Sequence, residues 1–240
     1  MKQLFPTIAL ACAAVTIANP AAAHHVWIEQ DAQGARLHFG EFGDNLREVS
    51  PGRLDKFVKP TATLVSARGA QPLTLNKTAE AFAFAGRAAQ SESLLAEEAL
   101  YPVIEKKDGD KVTRTVWTPA ARYVTDFAVR VPQLTLDVVP TGTRGEFAVF
   151  YKGQPLADAK LEAVAQSGWS RALSTDKQGK LTLELPWQGA YAIEVKHSDR
   201  SGGERDGQKY DVASYVTTLT FSLAEGLPSP ALPPKATPNK

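Results

Sequence analysis

The sequence predicts an all-β protein of two β-sandwich domains, with only short helical turns between some of the strands. Apolar and polar residues alternate in short runs from Val26 onward, and this period of two is typical of half-buried strands. Turn sequences that contain glycine, such as residues 31–34 and 68–69, separate the runs. The chain has 240 residues, of which 43% are hydrophobic, so it has enough apolar surface to bury cores of ordinary size.

The first predicted domain, residues 24–132, contains the shorter strands. We predict strands at residues 26–29, 35–42, 62–67, 73–76, 81–85 and 123–131. Residues 46–57 and 91–99 are expected to form helical turns, the second because it is rich in helix-forming residues. Residues 101–105 and 112–117 flank Asp108-Gly109, a pair that favours a hairpin turn.

The second predicted domain, residues 133–224, is more regular. Its strands are expected at residues 134–138, 146–151, 160–165, 170–174, 180–185, 190–197 and 215–223. Seven short strands separated by turn sequences are typical of an immunoglobulin-like or prealbumin-like sandwich. One larger sandwich with an inserted hairpin is the alternative for the whole chain. Residues 225–240 contain five prolines and few residues to bury, so a disordered tail is predicted.

Residues 1–23 have the three parts of a secretory signal peptide. Met1-Lys2 is a short basic start, residues 4–18 are largely apolar, and Ala21 and Ala23 suit a cleavage site for signal peptidase. We expect cleavage after Ala23 and a periplasmic mature protein; a lipoprotein anchored at Cys12 is the alternative. No later stretch has the roughly 18 apolar residues that a membrane-spanning helix needs.

Charge and sulfur content exclude several classes of function. The chain has 27 basic and 26 acidic residues with no basic cluster, which argues against nucleic acid as a partner. Cys12 and Met1 are its only sulfur-containing residues, and both precede the predicted cleavage site. A mature chain without sulfur has no cysteine nucleophile and no thiolate or thioether ligands for Cu(I).

The strongest candidate site is the expected new N-terminus, His24-His25. A terminal histidine offers a metal its free amine and its ring Nδ1, and the next residue adds a second ring. Their ordinary pKa values, about 7.7–8 for the amine and about 6.5 for imidazole, allow a metal to displace protons near neutral pH. Two histidines that merely mark the end of the mature chain are the alternative interpretation.

Three other residues are considered as metal ligands. His197 ends a predicted strand beside a glycine-rich loop, a common location for functional residues, and we include it in the predicted metal site. His38 is expected to face solvent, because it alternates with Leu37 and Phe39 along its strand. Glu41 has an oxygen to offer a metal, but we favour a polar turn there.

Three segments resemble a known family. They are residues 24–29 (His-His-Val-Trp-Ile-Glu), 36–42 (Arg-Leu-His-Phe-Gly-Glu-Phe) and 46–52 (Leu-Arg-Glu-Val-Ser-Pro-Gly). After a signal that ends in Ala-Ala-Ala, they resemble the periplasmic component family of cobalt/nickel transport, which is NikM- or CbiK-like and partly known only as a domain of unknown function. The second half is similar to carboxypeptidase-regulatory-like sandwiches through Pro155-Leu156, residues 175–179 and residues 189–191.

The resemblance implies metal handling with ligands at His24 and His25, and a matching histidine at His197. Two features depart from the membrane-bound relatives: this chain lacks their transmembrane helix, and His-His replaces their N-terminal Met-His. Membership of a nickel permease complex does not follow, and the metal need not be nickel.

The leading hypothesis is a periplasmic protein, not an enzyme, that binds a divalent transition metal and assists its uptake or delivery. Nickel, cobalt, copper and iron are the candidates, and an inner-membrane metal transporter is the expected partner. Nitrogen and oxygen ligands favour Cu(II) over Ni(II) or Zn(II) in affinity. The alternatives are a copper enzyme that uses His24 in a histidine brace for oxidation, and a structural or ligand-binding β sandwich without metal.

Overall fold

The computed structural model describes residues 24–239, and it confirms the all-β prediction with 54% strand. Within this range the only helical element is the 3-10 turn Arg53–Lys56, and no helix is long and apolar enough to cross a membrane. The strands are β1 His25–Asp31, β2 Gly34–Glu41, β3 Leu46–Arg47, β4 Thr61–Ser66, β5 Gly69–Leu73, β6 Leu75–Lys77, β7 Phe82–Phe84, β8 Ser93–Glu97, β9 Ile104–Asp108, β10 Lys111–Val124, β11 Leu136–Pro140, β12 Glu146–Tyr151, β13 Gln154–Pro155, β14 Lys160–Ala165, β15 Ser170–Ser174, β16 Lys180–Thr182, β17 Gly189–Asp199, β18 Gly203–Arg205, β19 Gln208–Tyr210 and β20 Val212–Leu223.

Three sheets and one small hairpin make up the fold. The long sheet has nine strands in the order β15-β14-β17-β20-β10-β8-β4-β5, with β9 paired to β10. The N-terminal sheet has the order β1-β2-β7-β6, with β3 paired to β2. The C-terminal sheet has the order β11-β12-β13, with β16 paired to β12, and β18 and β19 form the hairpin.

The long sheet contains strands from both predicted domains. Its two halves meet where β10 and β20 pair in parallel, from Thr115 opposite Val212 to Tyr123 opposite Thr220. The other strand pairs of the described chain are antiparallel. The long sheet therefore crosses the boundary predicted at residue 132, and each of the two hydrophobic cores also takes a residue from beyond that boundary: Val216 belongs to the first core and Val124 to the second.

The two cores lie on opposite faces of the long sheet. The first core fills the space between the N-terminal sheet and β4, β8 and β10. The second core fills the space between the C-terminal sheet and β14, β17 and β20. Because successive side chains of a strand point to opposite faces, β20 supplies Val216 to the first core and Leu219 to the second.

Buried threonines of β20 attach both smaller sheets to the long sheet. The Thr218 and Thr220 hydroxyls donate hydrogen bonds of 2.6 Å to the carbonyls of Val26 and Ile28 in β1. On the other face, the Thr217 hydroxyl donates a 2.7 Å hydrogen bond to the carbonyl of Leu136 in β11. Since β1 and β11 are edge strands, these hydroxyls bond backbone carbonyls that lack a strand partner on that side.

Two of the predicted elements are wrong. Residues 91–99 do not form a helical turn: Ser93–Glu97 is strand β8, buried between β4 and β10, and its sheet pairing outweighs the helix propensity of its residues. The strand predicted at 123–131 ends at Val124. The hairpin is confirmed as β9 and β10, and residues 46–57 contain both β3 and the 3-10 turn.

The proline-rich tail returns to the N-terminal sheet. Its composition predicts disorder, whereas in the structure residues 225–239 make several contacts outside regular strands. The Asn45 side-chain amide donates to the Pro233 carbonyl at 2.8 Å, and the Ala236 amide donates to the Asn45 carbonyl at 3.2 Å. Lys235 pairs with Glu80 at 2.9 Å. These contacts bring the end of the described chain beside its beginning.

Candidate functional site

The first described residue, His24, lies between two carboxylates of the N-terminal sheet. Its Nδ1 is 3.2 Å from Glu41 Oε1, and its Nε2 contacts Glu48 Oε1. The edge of the ring packs against Phe39 with 5.2 Å between ring centroids. Only 15% of the His24 side chain is exposed, so the ring is held at the protein surface rather than extending into solvent.

Strand pairing brings these residues together. His25 lies opposite Gly40, and Glu41 lies opposite Leu46, so the start of β1, the end of β2 and β3 are neighbours. Gly40 has a φ of 146°, and a Cβ there would lie 2.2 Å from the Leu46 carbonyl oxygen. Only glycine therefore lets β2 and β3 approach closely enough to place Glu41 and Glu48 on either side of His24.

Glu48 is fully buried and is held by the end of the chain. The Asn239 backbone amide donates to Glu48 Oε2 at 3.1 Å, and its side-chain amide donates to Oε1 at 2.7 Å. Burial alone would raise the pKa of Glu48, but the hydrogen bonds from Asn239 and His24 outweigh it and hold the pKa below its usual value. Glu48 is therefore ionised at neutral pH.

Glu41 has the opposite electrostatic environment. Burial, a hydrogen bond with Asp44 and the negative charges of Asp44 and Glu48 raise its pKa to about 7, and the charge of His25 offsets only part of this rise. The two carboxyl groups beside His24 therefore differ in proton affinity, and Glu41 is the one that titrates near neutral pH.

His25 points away from the His24 ring and joins the N-terminal sheet to the long sheet. Its Nδ1 lies 2.7 Å from Glu194 Oε2 in β17, and its Nε2 accepts a 3.3 Å hydrogen bond from the Phe42 amide. Burial would raise the pKa of Glu194, but His25 and Lys196 outweigh it and lower the pKa. Since both its ring nitrogens have protein partners, His25 connects the two sheets.

His197 is not brought to the N-terminal histidines. It lies opposite Tyr215 in the β17–β20 pair, and its ring packs on Tyr151 of the C-terminal sheet at 4.2 Å between centroids. It shares a face of β17 with Ile193 and Val195 of the second core, whereas Glu194, the partner of His25, is on the other face. A single site containing His24, His25 and His197 is therefore not present.

His38 does not face solvent as predicted. It is 5% exposed and stacks on Trp27 at 5.4 Å, and its Nε2 is 3.4 Å from Glu29 Oε2. The prediction is wrong because this part of the N-terminal sheet is covered on both sides: Trp27 packs against Phe42 and against Ala192 of the long sheet. His38 does not contact His24 or Glu41 and belongs to a separate polar cluster.

That separate cluster is centred on Glu29. Glu29 Oε1 accepts hydrogen bonds from Arg47 at 2.6 Å and from the Trp27 indole at 2.9 Å. Burial would raise the pKa of Glu29, but the interactions with His38, Arg47 and Trp27 outweigh it and lower the pKa to about 2. These contacts give the cluster a structural role in joining β1, β2 and β3.

The side chains alone do not make a metal centre. Within residues 24–239, no group of three or more His, Cys, Asp or Glu side chains is arranged to hold a metal ion. Around His24 the structure brings together one imidazole and the carboxylates of Glu41 and Glu48, and imidazole nitrogen and carboxylate oxygen are ligand types that divalent transition metals accept. An α-amine at His24 would add a further nitrogen, and the predicted signal peptide, whose removal would create that amine, lies outside the described residues.

Sequence reasoning identified His24 and considered Glu41 as an oxygen ligand, but it missed Glu48 and Asn239. Glu48 lies in the segment 46–57, where helical turns are predicted, and Asn239 lies in the predicted disordered tail, and neither position has a local signal of burial. Glu194, which pairs with His25, does have a local signal of burial, because it is a charged residue within the apolar strand segment 189–195.

Comparison with protein-family models, with curated proteins and with solved structures finds no match to this chain.

Proposed function

We propose that this is a periplasmic protein that binds a divalent transition metal at its mature N-terminus and assists metal uptake or delivery. The observation that carries the proposal is the His24 ring held between Glu41 and Glu48, at the residue where the predicted cleavage creates a free amine. Copper, nickel, cobalt and iron are the candidate metals, and an inner-membrane metal transporter is the proposed partner.

The chemistry of the α-amine of His24, its ring Nδ1 and the Glu41 carboxylate supports this function. The α-amine and Nδ1 of one histidine reach the same metal ion, and Nδ1 is the nitrogen that faces Glu41. Two nitrogens and a carboxylate oxygen suit Cu(II), Ni(II) and Zn(II), with Cu(II) bound most tightly. His25 stabilises the position of the site, because its contact with Glu194 of β17 fixes the start of β1, where His24 is attached.

We also propose that residues 133–224 form an immunoglobulin-like or carboxypeptidase-regulatory-like sandwich. The second core, which lies between the C-terminal sheet and β14, β17 and β20, supports this assignment. Three predicted strands, at 146–151, 160–165 and 170–174, have the same bounds as β12, β14 and β15. In this arrangement β20 of the second half also contacts the N-terminal sheet, through the hydrogen bonds of Thr218 and Thr220 to β1.

Native mass spectrometry of the exported protein tests the function. The parent is compared with His24→Ala and with His197→Ala, which also lacks one imidazole but lies on the other face of the long sheet. We expect a chain that begins at His24 and retains one metal ion, with the metal lost in His24→Ala and kept in His197→Ala. A different N-terminus, or equal metal content in the parent and His24→Ala, would contradict the proposal.

A further inference from the structure

We infer that Glu48 is a positioning residue of this site: its buried carboxylate accepts the Nε2 proton of His24 and so directs Nδ1 toward Glu41. Asn239, at the end of the described chain, in turn fixes the carboxylate of Glu48. This inference rests on the proposed metal function, but it concerns the chain's own residues and makes a prediction for the metal-free protein.

The contacts of Glu48 determine where the His24 proton lies. Both oxygens of the Glu48 carboxylate accept N–H hydrogen bonds from Asn239, so this group acts as an acceptor, and the His24 Nε2 that contacts Oε1 is the donor and carries a proton. Asn239 Nδ2 is 3.2 Å from the same Nε2, but it too is a donor, and its bond goes to Oε1 at 2.7 Å. Both donors therefore converge on one oxygen.

Placing the proton on Nε2 leaves the lone pair of the neutral ring on Nδ1. Nδ1 is the only ring nitrogen that reaches the histidine's own α-amine to form a chelate. Glu41 Oε1 competes for a proton on Nδ1, but it lies 3.2 Å away, a longer contact than that of Nε2 with Glu48 Oε1, so Glu48 is the stronger acceptor. The position of Glu48 thus presents the chelating nitrogen in the form that binds a metal. Carboxylates that hold the other ring nitrogen of a histidine ligand in this way fix its tautomer and its orientation.

The burial of Glu48 supports this role. Its side chain has no solvent exposure, and a buried charge is costly unless it is paired and hydrogen-bonded. Its close partners among residues 24–239 are His24 and Asn239, while the nearest guanidinium nitrogen, Arg53 Nε, is 3.9 Å away. The cost of burying this charge is therefore offset mainly by groups at the two ends of the described chain.

The test uses the chain that begins at His24, its Glu48→Gln variant and a control, Glu184→Gln, whose side chain is 86% exposed. Nitrogen-15 NMR at pH 9 reports the His24 tautomer without metal, and titration with Cu(II) alone gives the dissociation constant. We expect the Nε2–H tautomer in the parent. Glu48→Gln should reduce that preference and weaken Cu(II) binding about 10- to 100-fold, while the control changes neither.

The outcomes separate the inference from the function. An Nδ1–H ring in the parent overturns the inference, as does an unchanged tautomer and affinity in a folded Glu48→Gln variant. A parent with the Nε2–H ring that does not bind Cu(II) overturns the metal function instead. If Glu48→Gln does not fold, Asn239→Ala replaces it in the test. This variant keeps the Glu48 carboxylate but removes the side-chain hydrogen bond that holds it. A weaker tautomer preference and a weaker Cu(II) affinity in Asn239→Ala support the inference, and unchanged values overturn it.

Discussion

Asn239 donates two hydrogen bonds to Glu48, one from its backbone amide and one from its side chain, although 191 residues separate them. The proline-rich tail is thereby attached to the N-terminal sheet beside His24. Through this contact, the end of the chain contributes to the stability of the candidate site.

Replacing Asn239 by alanine should lower stability. Asn239→Ala removes one donor from the buried Glu48 carboxylate, and we expect a loss of about 1–2 kcal/mol in the free energy of unfolding. Urea unfolding measures this loss. Lys235→Ala is the control in the same tail, because its pair with Glu80 is more than half exposed and should contribute less than about 1 kcal/mol. Equal effects of the two substitutions would contradict this view of the tail.

The buried pair formed by Arg122 of β10 and Asp137 of β11 should be a sensitive polar contact between the long sheet and the C-terminal sheet. Both side chains are fully buried, and Arg122 donates to the two Asp137 oxygens at 2.9 and 2.6 Å. Asp137→Ala leaves the guanidinium unpaired and should cost about 3–5 kcal/mol, measured by denaturant unfolding. Glu184→Ala, which breaks an exposed pair with Arg171, should cost less than about 1 kcal/mol. A loss below 1 kcal/mol for Asp137→Ala would show that the pair does not stabilise the fold.

The hydroxyl of Thr218 should stabilise the attachment of the N-terminal sheet. Thr218→Val preserves the shape of the side chain but leaves the Val26 carbonyl without its 2.6 Å donor, at an expected cost of about 1–3 kcal/mol. Thr182→Val, at an exposed position of β16, is the matched control and should be close to neutral. Thermal and urea unfolding check both variants, and indistinguishable stabilities would argue against the role of the hydroxyl.

The Glu29 cluster predicts a pH dependence of stability. The folded-state pKa of Glu29 is lowered from 4.5 to about 2, so its contribution is present above pH 4.5 and is lost as pH falls toward 2. Glu29→Gln should therefore be less stable than the parent by about 1–3 kcal/mol at pH 7, and the difference should shrink between pH 5 and about pH 2. Glu225→Gln, at an 89% exposed side chain, should show no such trend. A parent–variant difference independent of pH would contradict the assignment.

Strand positions were predictable where the information is local. The bounds of β12, β14 and β15 were predicted at residues 146–151, 160–165 and 170–174, because turn sequences next to each strand mark its ends. The parallel pairing of Thr115 with Val212 is not local, and no alternation in either strand specifies its partner. The sequence therefore predicted the fold class and many strands, but not the long sheet.

The candidate site was predictable only in part. His24 follows the predicted signal peptide and Glu41 was considered as an oxygen ligand, whereas Glu48 and Asn239 reach the site through the pairing of β2 with β3 and the return of the tail. Alternation correctly grouped residues by face, but it does not show whether a second layer covers that face. For this reason the burial of His38 and the distant location of His197 required the structure.

The most direct test of the account is the Cu(II) dissociation constant of two chains that differ by one residue, one beginning at His24 and the other at Ala23. The longer chain keeps His24, Glu41 and Glu48 but moves the terminal amine away from the His24 ring. We predict that the chain beginning at His24 binds Cu(II) at least about 100-fold more tightly, a difference of about 2.8 kcal/mol. Equal affinities, or no binding by either chain, would contradict a metal site built on the terminal histidine.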